Sequence, residues 1–233
     1  MSELATTLNA AAGASSADAA RPLGRYWLLY MEAIVRMNID ADGGAASVER
    51  AVAFTERVGA PSLRASAAQL ASTFNGFSED PNDWEAGIVR AGDGLVLARS
   101  VGDPTITGDL LGSVAWLKAR ARRPDAFVAC REALRHLDDM RYRAMGWPVL
   151  DAVSSCLAHA GELEPAGIVL GAVEPRYAAP SVRSQTLRDV VRRAVAEHPS
   201  SARWIERGAA MDYDAIVAYV LGLRPPALGD PPD

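Results

Sequence analysis

The sequence predicts an all-α fold in which antiparallel helix pairs stack on one another and further helices cap the C-terminal end. The strongest sign is a forty-residue repeat. Tyr30, Leu70, Leu110 and Leu150 stand 40 apart, as do Met37, Phe77, Leu117 and Leu157, and as do Ala46, Ala86, Ala126 and Ala166. Leu97 and Leu137 extend the register. The spacing within a unit is the second sign. The first two columns are 7 residues apart, two turns along one helix face, and the alanine follows 9 residues later, early in a second helix. Such a two-helix unit cannot bury its apolar face alone and stacks on its neighbours. The third sign is composition. Alanine is frequent, Ile and Phe are few, and small residues suit both helix formation and close helix crossings.

The elements follow from breakers at regular places. Pro22 suits the first turn of a helix through Tyr26, Leu29, Ala33 and Val35 to about Asn38. Asp40 to Gly44 reads as a loop, and a second helix runs from about Ala45 to Val58, with Gly59 as its cap. Pro61 and Ser62 open the next helix, which ends near Phe77. After the turn at Ser78 to Pro81, Asn82 or Asp83 caps the helix carrying Trp84, Ile88, Leu95 and Leu97. Val101-Gly102-Asp103-Pro104-Thr105 repeats the punctuation of Val58-Gly59-Ala60-Pro61-Ser62 at an offset of 43 rather than 40. The extra residues fall in the second helix of that unit, where Gly92 and Gly94 weaken it.

Helices follow at about 105–121, 125–140, 143–160 and 162–173. The turn at Arg122-Arg123-Pro124-Asp125 corresponds to that at Gly161-Glu162-Leu163-Glu164. The forty-residue pattern ends after Glu174-Pro175. An Arg-rich helix is expected over 181–197, then short helices at 200–210 and 212–221. The expected organisation is a flexible segment over 1–20, a repeat array over 21–175, capping helices over 176–223 and a proline-rich tail over 224–233.

Composition bounds the function. A formal charge of −5 argues against a general nucleic-acid binder. No run of 18 or more apolar residues is present, so no membrane span is expected, and Met1 to Ala20 lacks the basic start of a secretory signal. A cytoplasmic protein is expected, with Cys130 and Cys156 as reduced core residues.

No motif announces chemistry, so no enzyme activity, cofactor or metal is expected. His136, His159 and His198 stand on different helices without a second ligand one turn away. No Gly-x-Ser-x-Gly elbow exposes a nucleophile. Gly92-Asp93-Gly94 lacks the Gly-Lys-Ser/Thr of a phosphate loop, and Asp138-Asp139 lacks the spaced oxygens of a calcium loop.

The candidate sites are instead surfaces. Trp116 and Trp147 stand beside the repeat columns and, with Arg120, are candidates to line a partner-binding groove. Of the five tryptophans, Trp27, Trp84, Trp116, Trp147 and Trp204, most are expected in inter-helix core. Lys118, Arg120, Arg122 and Arg123 gather at a helix end, where cations complement the dipole. Arg183, Arg188, Arg192 and Arg193 form a second cluster, in which Arg188 and Arg192 share one helix face as a candidate docking surface for an acidic partner.

The helix pairs resemble tetratricopeptide-like arrays. More narrowly, residues 45 to 222 resemble the C-terminal region of large actinobacterial regulators, which join an ATPase core to such repeats and carry a LuxR-type DNA-binding domain or an adenylate/guanylate cyclase domain. The matching residues are Ala51 to Pro61, Leu97 to Pro104, Leu157-Ala158-His159-Ala160-Gly161 through Ala166 to Gly171-Ala172, and Trp204, Gly208, Met211 and Asp214 to Leu221. The period of 40 departs from the tetratricopeptide consensus of about 34. The resemblance implies a right-handed superhelix and a role in signalling or transcriptional regulation. The chain carries no Walker motif, cyclase domain or helix-turn-helix extension, so those activities are not implied.

The leading expectation is a non-enzymatic module that binds a protein or peptide. Two alternatives stay open. One is a regulator that binds DNA directly through the helix at 181–197. The other is an enzyme with an unrecognised site between helices.

Overall fold

In the computed structural model the described residues are 22–37, 39, 41–176 and 182–226. The expected N-terminal segment 1–20, the loop at 177–180 and residues 227–233 of the expected tail lie outside them. Among the described residues there are eleven α-helices and no strand: α1 Pro22–Met37, α2 Ala41–Val58, α3 Pro61–Phe77, α4 Pro81–Ser100, α5 Pro104–Arg120, α6 Ala126–Asp139, α7 Arg143–His159, α8 Leu163–Val173, α9 Val182–Ala196, α10 Ser201–Ala209 and α11 Tyr213–Gly222. The all-α expectation therefore holds. None of these helices is long and apolar enough to cross a membrane. The chain forms two compact units, Met1–Leu110 and Leu111–Asp233.

In the first unit α1 packs on α2, α2 on α3 and α3 on α4. Tyr26, Leu29, Ala33, Met37, Val48, Ala51, Phe54, Leu63, Leu70 and Ala71 form one buried cluster. Two polar side chains of α1 find partners beside this cluster. The Tyr26 hydroxyl donates to Ser66 Oγ at 2.8 Å, and burial pushes the phenol well above its ordinary range. Glu32 is buried, and its Oε1 accepts from Arg36 Nε at 3.0 Å and from Arg50.

In the second unit α6 packs on α7 and α7 on α8. The last three helices return to these. Helix α9 lies on α7 and α8, α10 on α8, and α11 on α6, α7 and α8. Every residue from Ala166 to Val173 is buried. Cys130 and Cys156 are free and buried, as expected of core thiols. The neighbouring Cys156 thiol, together with burial, holds the Cys130 thiol well above its ordinary range.

The leucine columns land in the core. Leu70, Leu110 and Leu150 are fully buried, and Met37, Leu117 and Leu157 nearly so. The alanine column holds only in the second unit. Ala126 and Ala166 are buried, whereas Ala46 and Ala86 are exposed and their successors Ser47 and Gly87 turn inward. One extra residue before a helix face rotates it by about 100°. That is enough to swap the inward position for its neighbour.

Helix ends explain the punctuation. Helix α4 closes with Gly102 N–H donating to Arg99 O and Asp103 N–H donating to Ala98 O, with Gly102 at φ 68°. The same two-bond stop recurs after α5 at Arg122 (φ 51°), after α6 at Arg141 (φ 58°) and after α7 at Gly161 (φ 77°). Each is a left-handed C-terminal cap, which favours glycine. Gly59 after α2 is left-handed too, at φ 73°. Two starts differ from expectation. Helix α2 begins at Ala41, because Gly44 lets its first turn come against Met37, where a Cβ would lie 3.1 Å from the Met37 backbone. Helix α4 is capped by Asp80, whose carboxylate accepts from Asn82 N–H at 2.8 Å, with Pro81 in the first turn. The extra residues of the stretched unit lie in α4, which has 20 residues against 18 in α2, 14 in α6 and 11 in α8.

The tightest crossing is α8 on α10. A Cβ on Gly208 would sit 1.8 Å from Ile168 O, and one on Gly171 would sit 2.1 Å from Ile205 O. Gly208→Ala is therefore expected to cost about 3 kcal/mol, since the obstacle is backbone and cannot turn aside. Gly24→Ala, with nothing within 4 Å, should leave stability equal or higher. Urea unfolding of both variants reads the contrast, and equal stabilities would contradict the crossing. Arg141→Gly is expected to stabilise by about 1 kcal/mol by removing a left-handed non-glycine residue. An unchanged or lower urea midpoint would contradict that.

Candidate functional site

The first unit carries an open cleft of about 510 Å³ between α2, α3 and α4. Each helix offers residues at helical spacing. Helix α2 gives Glu49, Val52, Ala53 and Glu56, α3 gives Arg64, Ala67, Ala68 and Ala71, and α4 gives Arg90, Asp93, Gly94 and Leu97. The floor is small and apolar. It is low because α3 and α4 meet at Gly94, where a Cβ would lie 2.7 Å from the Ala68 Cβ. Val48 and Ala71 are buried at its base.

The rim is charged. Among the described residues Glu49, Glu56, Arg64, Arg90 and Asp93 make no hydrogen bond or ion pair with another side chain. Glu49 and Glu56 stand two turns apart on α2, about 10 Å along the axis. This arrangement can desolvate an apolar side chain on its floor and pair charges at its edges. Among the described residues no three His, Cys, Asp or Glu side chains gather as metal ligands would.

The groove residues expected from sequence lie elsewhere. Trp116 and Arg120 sit on α5, half-buried, with the guanidinium 5.6 Å from the Trp116 ring centroid. Trp147 is half-buried edge-on against Tyr213 of α11, ring centroids 5.2 Å apart. None of the three lines the cleft. The other tryptophans also depart from a uniform core role. Trp84 donates from its indole to Ser78 O at 2.8 Å, Trp204 stacks on His198 at 4.2 Å, and Trp27 is 48% exposed beside Leu23 and Met31 on α1.

The two arginines of the expected docking face on α9 differ in exposure. Arg188 is buried, and its guanidinium grips the Asp151 carboxylate of α7 with Nε at 2.8 Å from Oδ1 and Nη2 at 2.7 Å from Oδ2. Burial pushes the Asp151 carboxyl up, and the guanidinium pulls it back. Arg192 is exposed but pairs with Glu174 at 2.6 Å and Asp189 at 2.8 Å. The two arginines share a side of α9, yet that side faces α7 and α8 at Arg188. The side chain of Arg183 lies outside the described residues. Lys118, in the other basic cluster, pairs with Asp125 at 2.6 Å.

Sequence reasoning missed the cleft because its floor is alanine and glycine, which carry no chemical signal. The signal was the coincidence of two helical stripes, Arg64-Ala67-Ala68-Ala71 and Arg90-Asp93-Gly94-Leu97, on consecutive helices. No protein-family model matches the chain, and no curated protein matches it.

The Arg188–Asp151 pair yields a test of its structural role. Arg188→Met alone is expected to destabilise by about 3 kcal/mol, because it leaves a buried carboxylate unpaired. The double variant Asp151→Leu/Arg188→Met should recover most of that loss. A double-mutant cycle in urea measures both, and additive losses would contradict the pairing.

Proposed function

We propose that this chain is a non-enzymatic helical-repeat module that binds a protein or peptide segment in the cleft of α2, α3 and α4, in a cytoplasmic regulatory protein. In this reading the helix pairs are successive turns of a right-handed tetratricopeptide-like superhelix, and α9 to α11 cap its end. The resemblance to the repeat region of actinobacterial regulators supports the regulatory role. The cleft itself carries the reading. It is concave, floored by small apolar residues, and rimmed by five charged side chains with no partner among the described residues.

Direct DNA binding has less support. Of the arginines described on α9, Arg188 is buried, and Arg192 and Arg193 are exposed but engaged by neighbouring acceptors. Arg188 holds Asp151, Arg192 holds Glu174, and Arg193 Nε donates to the Asp189 carbonyl. Among the described residues of α9, two of the three arginines are therefore already paired with carboxylates rather than open to phosphates.

Selection from a displayed library of random 16-residue peptides tests the proposal. Enriched peptides are expected to bind saturably by fluorescence anisotropy. Ala53→Trp should weaken them at least tenfold, because Ala53 is exposed at the cleft and a bulky ring there occupies it without disturbing the core. Peptides that bind wild type and Ala53→Trp alike would place recognition elsewhere and refute the cleft.

A further inference from the structure

Resting on that reading, we infer that the cleft selects a zwitterionic amphipathic helix: an apolar stripe flanked by two basic residues seven apart on one edge and by an acidic residue on the other. The two walls differ in charge. The α2 wall presents Glu49 and Glu56 and no cation, while α3 and α4 present Arg64, Arg90 and one acid, Asp93. Charged rims select partners and fix their register more than they add affinity.

Three features narrow the occupant. The floor of Ala67, Ala68, Ala71 and Gly94 leaves depth for bulky apolar side chains from the partner. Glu49 and Glu56 repeat at 7 residues, so cations on a bound helix reach both only if they also repeat at about two turns. The opposite wall repels a second row of cations at Arg64 and Arg90. An all-basic helix meets repulsion on the α3 and α4 side, and an all-acidic one meets it on α2. A helix with one edge of each sign meets opposite charge at Glu49, Glu56, Arg64 and Arg90 and like charge only at Asp93, and it can enter in whichever direction aligns its edges.

Charge complementarity is testable apart from occupancy. Three fluorescein-labelled helical peptides of 16 residues share one leucine stripe and differ only at the flanks. One carries Lys on one edge and Glu on the other, one carries Lys on both edges, and one carries Glu on both. Wild type is expected to bind the mixed peptide at least fivefold tighter than either like-charged one at low salt, with the difference shrinking as salt rises. Glu49→Lys/Glu56→Lys should move the preference to the all-Glu peptide by at least fivefold. Both variant positions are exposed, so the fold is expected to survive, and circular dichroism checks that. Equal binding of all three peptides, abolished by Ala53→Trp, would overturn the charge inference and leave the cleft reading standing. No binding by any peptide would overturn both.

Discussion

The two closest helix crossings described here depend on residues with little or no side chain. Helix α10 reaches α8 only because Gly208 and Gly171 let backbone meet backbone. Helix α4 reaches α3 at Gly94, over Ala68. The first of these crossings seals a helix whose every residue from Ala166 on is buried. The second leaves a trough, because nothing large stands on either side of it. The same constraint thus makes a closed core in one unit and an open cleft in the other. Larger residues at these crossings would push the helices apart and remove both.

Charge divides along the same line. Inside the units, charged groups are held by partners: Arg188 by Asp151, and Glu32 by Arg36 and Arg50. These pairs sit where desolvation makes an unpaired charge costly. On the cleft rim five charges stand without such partners among the described residues. They remain in water and cost little until something binds. The contrast separates arginines that hold the fold from arginines available for recognition.

Much of the fold was legible because it rests on large apolar residues at fixed spacing. The leucines at 70, 110, 117, 150 and 157 fall in the core where their columns place them. The glycine-then-proline boundaries mark real helix ends. Arg122 and Arg141 were less legible, since they occupy left-handed caps that glycine signals better. The alanine column slipped in the first unit because alanine is too small to enforce its own inward position, so Ser47 and Gly87 take its place. The cleft was least legible for a related reason: its floor consists of residues whose role is to be small. Trp116 and Trp147 drew attention as large aromatics, but Arg120 and Tyr213 already contact their rings.

Amide hydrogen exchange with and without a bound peptide locates the site without altering any residue. The account predicts that protection rises along α2, α3 and α4, between Val48 and Leu97, and stays unchanged from α6 through α11. Protection centred on Trp116 and Trp147, or along α9, would contradict it.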